Sequence, residues 1–157
     1  MLLKENKTLI FGLGNPILSD DSVGVLVVEK LDKMLEGEHL NVQCDTGSIG
    51  GLKILDIIKG YKKVVFVDSI EGKTPGKFYE LPLDVLSFSF HMTSPHSINL
   101  FTALNLGRQI GYDMPEEIKI YVMEVKNNRE FGDQLTPEVR RNLENFAKFI
   151  KERETGG

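Results

Sequence analysis

Leu9-Ile-Phe-Gly-Leu-Gly-Asn-Pro-Ile-Leu-Ser-Asp-Asp-Ser-Val-Gly24 is an apolar run that breaks at two glycines, turns through Asn15-Pro16 and presents two adjacent carboxylates. A strand ending in a glycine-rich turn usually cradles phosphate with bare backbone N–H groups. Here Asp20 and Asp21 follow the turn. They repel a phosphate and attract a cation. The stretch therefore predicts a first strand over Thr8–Gly12 and a cation-facing loop behind it.

Outward from that stretch, strands and helices alternate. Apolar residues at Val23, Leu26, Val27, Leu31 and Leu35 have the spacing of an amphipathic helix. A short strand is expected over Asn41–Asp45. The Gly47-Ser-Ile-Gly-Gly51 loop leads into a helix through Leu52, Leu55, Ile57 and Ile58, stopped near Gly60. Lys63–Asp68 is continuously apolar before its final acid, the mark of a central strand covered on both faces.

After a turn at Thr74-Pro-Gly76, Lys77–Leu81 reads as an edge strand. Ser94-Pro95 opens a helix through Ile98, Phe101, Leu104 and Ile110, with Ser94 as its cap. Lys119–Val125 is a further strand. Thr136-Pro137-Glu138 repeats the cap-plus-proline signal before a closing helix through Val139, Leu143, Phe146, Phe149 and Ile150, and the tail Lys151–Gly157 is expected to fray. The alternation predicts a single three-layer α/β/α domain over 1–157, with a mostly parallel twisted sheet between helical layers. Ligands of such sheets sit outside the carboxyl ends of the strands.

The 157 residues suit one domain with a real core, and a net charge of −4 speaks against nucleic acid as partner. The single cysteine, Cys44, excludes an intrachain disulfide framework and reads as a small core residue. Met1-Leu-Leu-Lys-Glu is charged too early for a signal peptide, and no apolar run approaches the ~20 residues that span a bilayer. A cytoplasmic setting without membrane contact is expected.

Three polar residues stand at the predicted carboxyl edge: Asp21 after the first strand, Asp68 at the end of the central strand, and His96 in the first turn of the helix opened by Pro95. Two carboxylates and an imidazole suit a borderline divalent metal such as nickel or zinc. Structural roles compete for each. An aspartate at a strand end caps turns, a histidine in a first helical turn is commonly just solvated, and Asp20 and Asp21 together suit the cap of the helix at Val23. Asp20 is the one assigned to structure. His91, among Phe88, Phe90 and Met92, suits a hydrogen-bonded structural role, and His39 a solvated one. Asp45-Thr-Gly47 matches the aspartic protease tripeptide, but that chemistry needs a second aspartate lobe. A strand-to-helix loop at the same sheet edge fits better.

Taken together, these elements resemble the NiFe-hydrogenase maturation endopeptidases. The resemblance covers nearly the whole chain: Gly-Leu-Gly-Asn-Pro-(x)3-Asp-Asp-(x)2-Gly over Gly12–Gly24, Asp45-x-Gly with its glycine loop, the strand ending in Asp68, Ser94-Pro-His96, and Gly132-(x)2-Leu-Thr-Pro-Glu-Val139. It implies removal of the C-terminal extension from a NiFe-hydrogenase large-subunit precursor after nickel insertion. Asp21, Asp68 and His96 correspond to the metal-binding positions, and Asp45 to a further functional aspartate, so the implied catalytic set is Asp21, Asp68, His96 and Asp45. Nickel is implied to arrive with the substrate, and other divalent metals to enter the site in vitro. Ser22 and Ser48 depart from the commoner glycine and threonine of the family, which touches loop geometry more than chemistry.

Two other classes remain open. A nickel-holding maturation chaperone would use the same ligands without cutting. A peptidyl-tRNA hydrolase-like esterase shares the first strand and Gly-Leu-Gly-Asn-Pro, but Ser19-Asp-Asp-Ser22 stands where that family has its catalytic histidine. A dinucleotide fold would need glycine at Ile17.

Overall fold

A computed structural model describes residues 6–15, 19–38, 41–48, 52–82, 95–126 and 135–156, with the side chains of 19 and 95–99 outside that set. Pro16, His39, Gly50, His91, Ser94 and Gly132, singled out in the sequence, lie outside the described residues. The chain forms β1 (Thr8–Leu13), a 3-10 turn (Ser19–Ser22), α1 (Val23–Leu35), β2 (Val42–Gly47), α2 (Lys53–Ile58), β3 (Lys63–Glu71), β4 (Phe78–Glu80), α3 (Pro95–Gln109), β5 (Glu117–Val125) and α4 (Pro137–Thr155). The strands build one sheet in the order β2-β1-β3-β5-β4, parallel except for β4. This is the expected three-layer α/β architecture.

Alternation along the strands sorts the core into two layers. Leu9, Phe11, Val64, Phe66, Ile118 and Ile120 face α2 and α3, where Ile54, Leu55, Leu100 and Leu104 meet them. Ile10, Val65, Val67, Tyr121 and Met123 face α1 and α4, packed by Val27, Leu31, Leu143 and Phe146. β3 lies at the middle of the sheet and is buried from Val64 to Ile70, which explains its unbroken apolar run. β4 is tied to the second layer through Phe78, whose ring stacks on Phe146 with centroids 5.1 Å apart.

Several boundaries differ from the sequence reading: β1 ends at Leu13 and not Gly12, β2 runs to Gly47 and not Asp45, β4 shortens to Phe78–Glu80, and β5 begins at Glu117 and not Lys119. β3 continues past Asp68 to Glu71, because β5 pairs with it to the end, Glu71 against Val125. The closing helix does not fray at Lys151 but runs to Thr155. Its last turns are pinned by Glu154, whose side chain is 1% exposed. Glu154 accepts a hydrogen bond from the Tyr121 hydroxyl at 2.5 Å and pairs with Lys63 at 2.5 Å and Lys119 at 3.6 Å.

Burial alone would raise the Glu154 carboxyl, but the hydrogen bonds from Lys63 and Tyr121 and the charges of Lys63 and Lys119 outweigh it and hold the group below its ordinary value of 4.5. A depressed carboxyl stabilises the fold fully above its unfolded value, and that contribution is lost as pH falls through the lower folded value. Urea titrations of wild type and Glu154→Gln should therefore show wild-type stability falling away below pH 4.5, with a shallower fall in the variant.

Close backbone approaches join β1, β3 and the start of α1. A Cβ on Gly12 would strike the Gly24 carbonyl oxygen, and one on Gly24 would strike the carbonyl oxygens of both Leu13 and Val67. Gly24→Ala is expected to cost about 1–3 kcal/mol in urea denaturation, as overpacking against unyielding backbone does. Gly37→Ala is the comparison: it has open space around it and φ +78°, so only left-handed strain, about 1 kcal/mol, is expected there.

Candidate functional site at the β1–β3 crevice

From β1 the chain goes to β2 on one side and later to β3 on the other, so the strand order reverses between β1 and β3. α1 covers one face and α2 the opposite one. A crevice opens at such a reversal, outside the carboxyl ends of the two strands. The loop after β1 returns through the Ser19–Ser22 turn, which packs against β3. Asp21 is 3% exposed there, and its Oδ2 accepts the Asn15 N–H at 3.0 Å. Gly14 leaves room for this closure, since a Cβ on it would strike the Asp21 carbonyl oxygen. Asp21 thus closes the glycine turn and stands at its mouth.

Asp20 is fully buried, and it serves structure in a way its sequence position did not announce. Its Oδ1 accepts the Thr136 N–H at 3.0 Å and its Oδ2 the Thr136 hydroxyl at 3.1 Å. Asp20 is turned to Thr136 and not to α1, whose N-cap residue is Ser22, without a side-chain capping bond. Thr136 likewise makes no capping bond to its own helix. Asp20 therefore clamps the entrance of α4 to the loop of β1, with both carboxylate oxygens engaged.

Asp68 does not end its strand, yet it does stand at an edge. The pairing of β1 with β3 stops at Gly12 against Val67, so Asp68 is the first β3 residue beyond the ladder. It is 1% exposed, and its Oδ1 accepts the Ser69 N–H at 2.8 Å. By alternation with Val64, Phe66 and Ile70 it lies on the α2/α3 face. α3 leads through residues 110–116 into the start of β5, so its first turn, with His96, opens at the carboxyl edge on that same face. The imidazole of His96 lies outside the described side chains.

Asp45 occupies β2, the outermost strand, level with Phe11 and so two rows below Asp68. Strand spacing and rise put its Cα about 12 Å from that of Asp68. It is exposed, and its Oδ1 accepts the Thr46 N–H at 2.8 Å. The site thus divides into a buried pair, Asp21 and Asp68, and an exposed acid to one side. Cys44 is no activated nucleophile: burial first, and then the charge of Asp32, push its thiol up to about 12. Among the described residues no cluster of three or more His, Cys, Asp or Glu side chains forms a metal-binding group. No helix among them is long and apolar enough to cross a membrane.

Sequence reasoning missed the two contacts that position these acids, Asn15 to Asp21 and Thr136 to Asp20. The second spans 116 residues and joins two residues that each read as a local helix cap. No local signal points to it.

Fold and site together define an open α/β domain with two buried acids, Asp21 and Asp68, at its topological switch point. The family model described as hydrogenase maturation protease matches residues 25–153, and the chain belongs to that family. A putative hydrogenase maturation protease of Methanocaldococcus jannaschii is 33% identical over 86 residues, a stretch spanning 54% of this chain and 55% of that protein. Among solved structures, the hydrogenase maturating endopeptidase HybD of Escherichia coli superposes with a TM-score of 0.78 at 24% identity, covering 96% of this chain and 94% of that one. An endopeptidase from Escherichia coli gives 0.71 at 26% identity with the same coverage. The maturation protease HycI of Thermococcus kodakarensis gives 0.65 at 24% identity over 94% of this chain and 91% of that one.

Proposed function

We propose that this chain is a single-domain cytoplasmic endopeptidase that removes the C-terminal extension of a NiFe-hydrogenase large-subunit precursor once nickel has been inserted. The observation that carries the reading is the placement of Asp21 and Asp68, two buried carboxylates, on either side of the β1–β3 switch point, with the helix of His96 opening at the same edge. Two oxygens and one imidazole nitrogen suit a borderline divalent ion and leave its other positions to a partner's ligands. The sequence has no His-Glu-x-x-His helix of the kind that lets a zinc protease work unaided. Nickel belongs to the substrate in this account. Asp21, Asp68 and His96 bind its open face and so seat the neighbouring peptide in the crevice. The bound ion polarises the scissile carbonyl for attack by water. The water oxygen bonds to the carbonyl carbon, its proton passes to the leaving nitrogen, and the peptide bond breaks.

Conservative variants separate this role from folding. Asp21→Asn retains an acceptor for the Asn15 N–H, and Asp68→Asn one for the Ser69 N–H, while each removes a charge. Both, and His96→Ala, should melt near wild type and lose at least about a hundredfold in processing of nickel-loaded precursor, the size expected for loss of a metal-orienting ligand. Near-wild-type cleavage by Asp68→Asn would refute the assignment. A nickel-dependent complex that forms without any shortening of the precursor would assign the chain to nickel chaperoning instead.

A further inference from the structure

The sheet ends on β2, and among the described residues no strand pairs with its outer side. The bonds from the Thr8 N–H to the Asn41 carbonyl and from the Gly14 N–H to the Gly47 carbonyl fix the phase of the β1–β2 ladder. In a parallel pair alternate residues bond the neighbour, so Gln43, Asp45 and Gly47 face β1. Val42, Cys44 and Thr46 turn their N–H and C=O groups outward. The Thr46 N–H is held by the carboxylate of Asp45 at 2.8 Å. Edge strands are commonly guarded by proline, charged side chains or a bulge. Val42–Gly47 has no proline and no bulge, carries one charge, Asp45, and keeps an unbroken register of six residues. Beside it, Val42 and Cys44 border a cleft with Asp32, Lys33, Leu35 and Glu36 at the end of α1.

We propose that the precursor segment immediately C-terminal to the scissile bond adds to β2 as an antiparallel strand, displacing Asp45 from the Thr46 N–H. The inference rests on the proposed function, which supplies the direction. Nickel would sit at the carboxyl edge and precede the scissile bond, so the extension must leave that edge and descend from Gly47 towards Val42. Main-chain hydrogen bonds to Thr46, Cys44 and Val42 engage alternate residues of a segment of about five. Asp45 is freed at the end of β2 nearest the scissile peptide. Its engagement is thereby coupled to occupancy of the edge, although its Cα is too far from Asp68 for the two to share one ion. Acids outnumber the single lysine in the cleft, so a basic side chain of the added strand is accommodated there.

The test compares wild type with Cys44→Pro in processing of nickel-loaded precursor, supported by a proline scan through the first residues of the extension. Proline at residue 44 removes an outward N–H and leaves the β1 ladder intact, as edge strands allow. KM should rise about tenfold at unchanged kcat, the loss of one main-chain hydrogen bond. Proline in the extension should impair processing at every second position. A Cys44→Pro variant that melts like wild type and keeps its KM would overturn the proposal. If that variant does not fold, the scan decides alone: period-two sensitivity supports strand addition, and uniform tolerance overturns it. Wild type that never shortens the nickel-loaded precursor would instead bring down the proposed function, and this inference with it.

Discussion

The backbone contact between Gly12 and Gly24 is the constraint on which the rest depends. Without side chains at both positions, the first turn of α1 settles directly on the ends of β1 and β3, against the carbonyls of Leu13 and Val67. That depth sets where the Ser19–Ser22 turn lies, and so where Asp20 and Asp21 emerge. A helix held farther from the sheet would leave the carboxylates in solvent, away from the strand order reversal that opens the crevice. The spacing of glycines and acids in one short stretch is therefore a single device. Glycine gives the approach, and the approach delivers the acids.

Adjacent acids in that device do different work because their partners differ. Asp20 gives both oxygens to Thr136 and ties α4 to the β1 loop. Asp21 closes the glycine turn through Asn15, buried in the turn that packs against β3. Asp68 is held in the second wall by continued pairing of β3 with β5 beyond the reach of β1. Burial of carboxylates is costly unless they are hydrogen-bonded, and backbone N–H groups at Asn15 and Ser69 meet that need here. The opposite end of the sheet is fixed by a second polar cluster, Glu154 with Tyr121 and Lys63, which anchors the last helix without entering the crevice.

Much of this was legible in the sequence because it depends on local periodicity. The unbroken apolar run ending at Asp68 marked the central strand, and cap-plus-proline at Thr136-Pro137 marked the start of α4. The places of Asp21 and Asp68 followed from the rule that α/β sheets bind at their carboxyl edges. What escaped depends on partners distant in sequence. The end of β3 is set by β5, the length of α4 by Tyr121 and Lys63, and the role of Asp20 by Thr136. That no strand among the described residues pairs with the outer side of β2 likewise follows only from the strand order, which periodicity does not reveal.

Mass spectrometry of the large-subunit precursor after incubation with this protein, with and without nickel loaded, bears most directly on the account. Loss of the C-terminal extension from the nickel-loaded precursor alone is the result that the proposed metal-reading set of Asp21, Asp68 and His96 requires. Equal shortening of nickel-free and nickel-loaded precursor would contradict it.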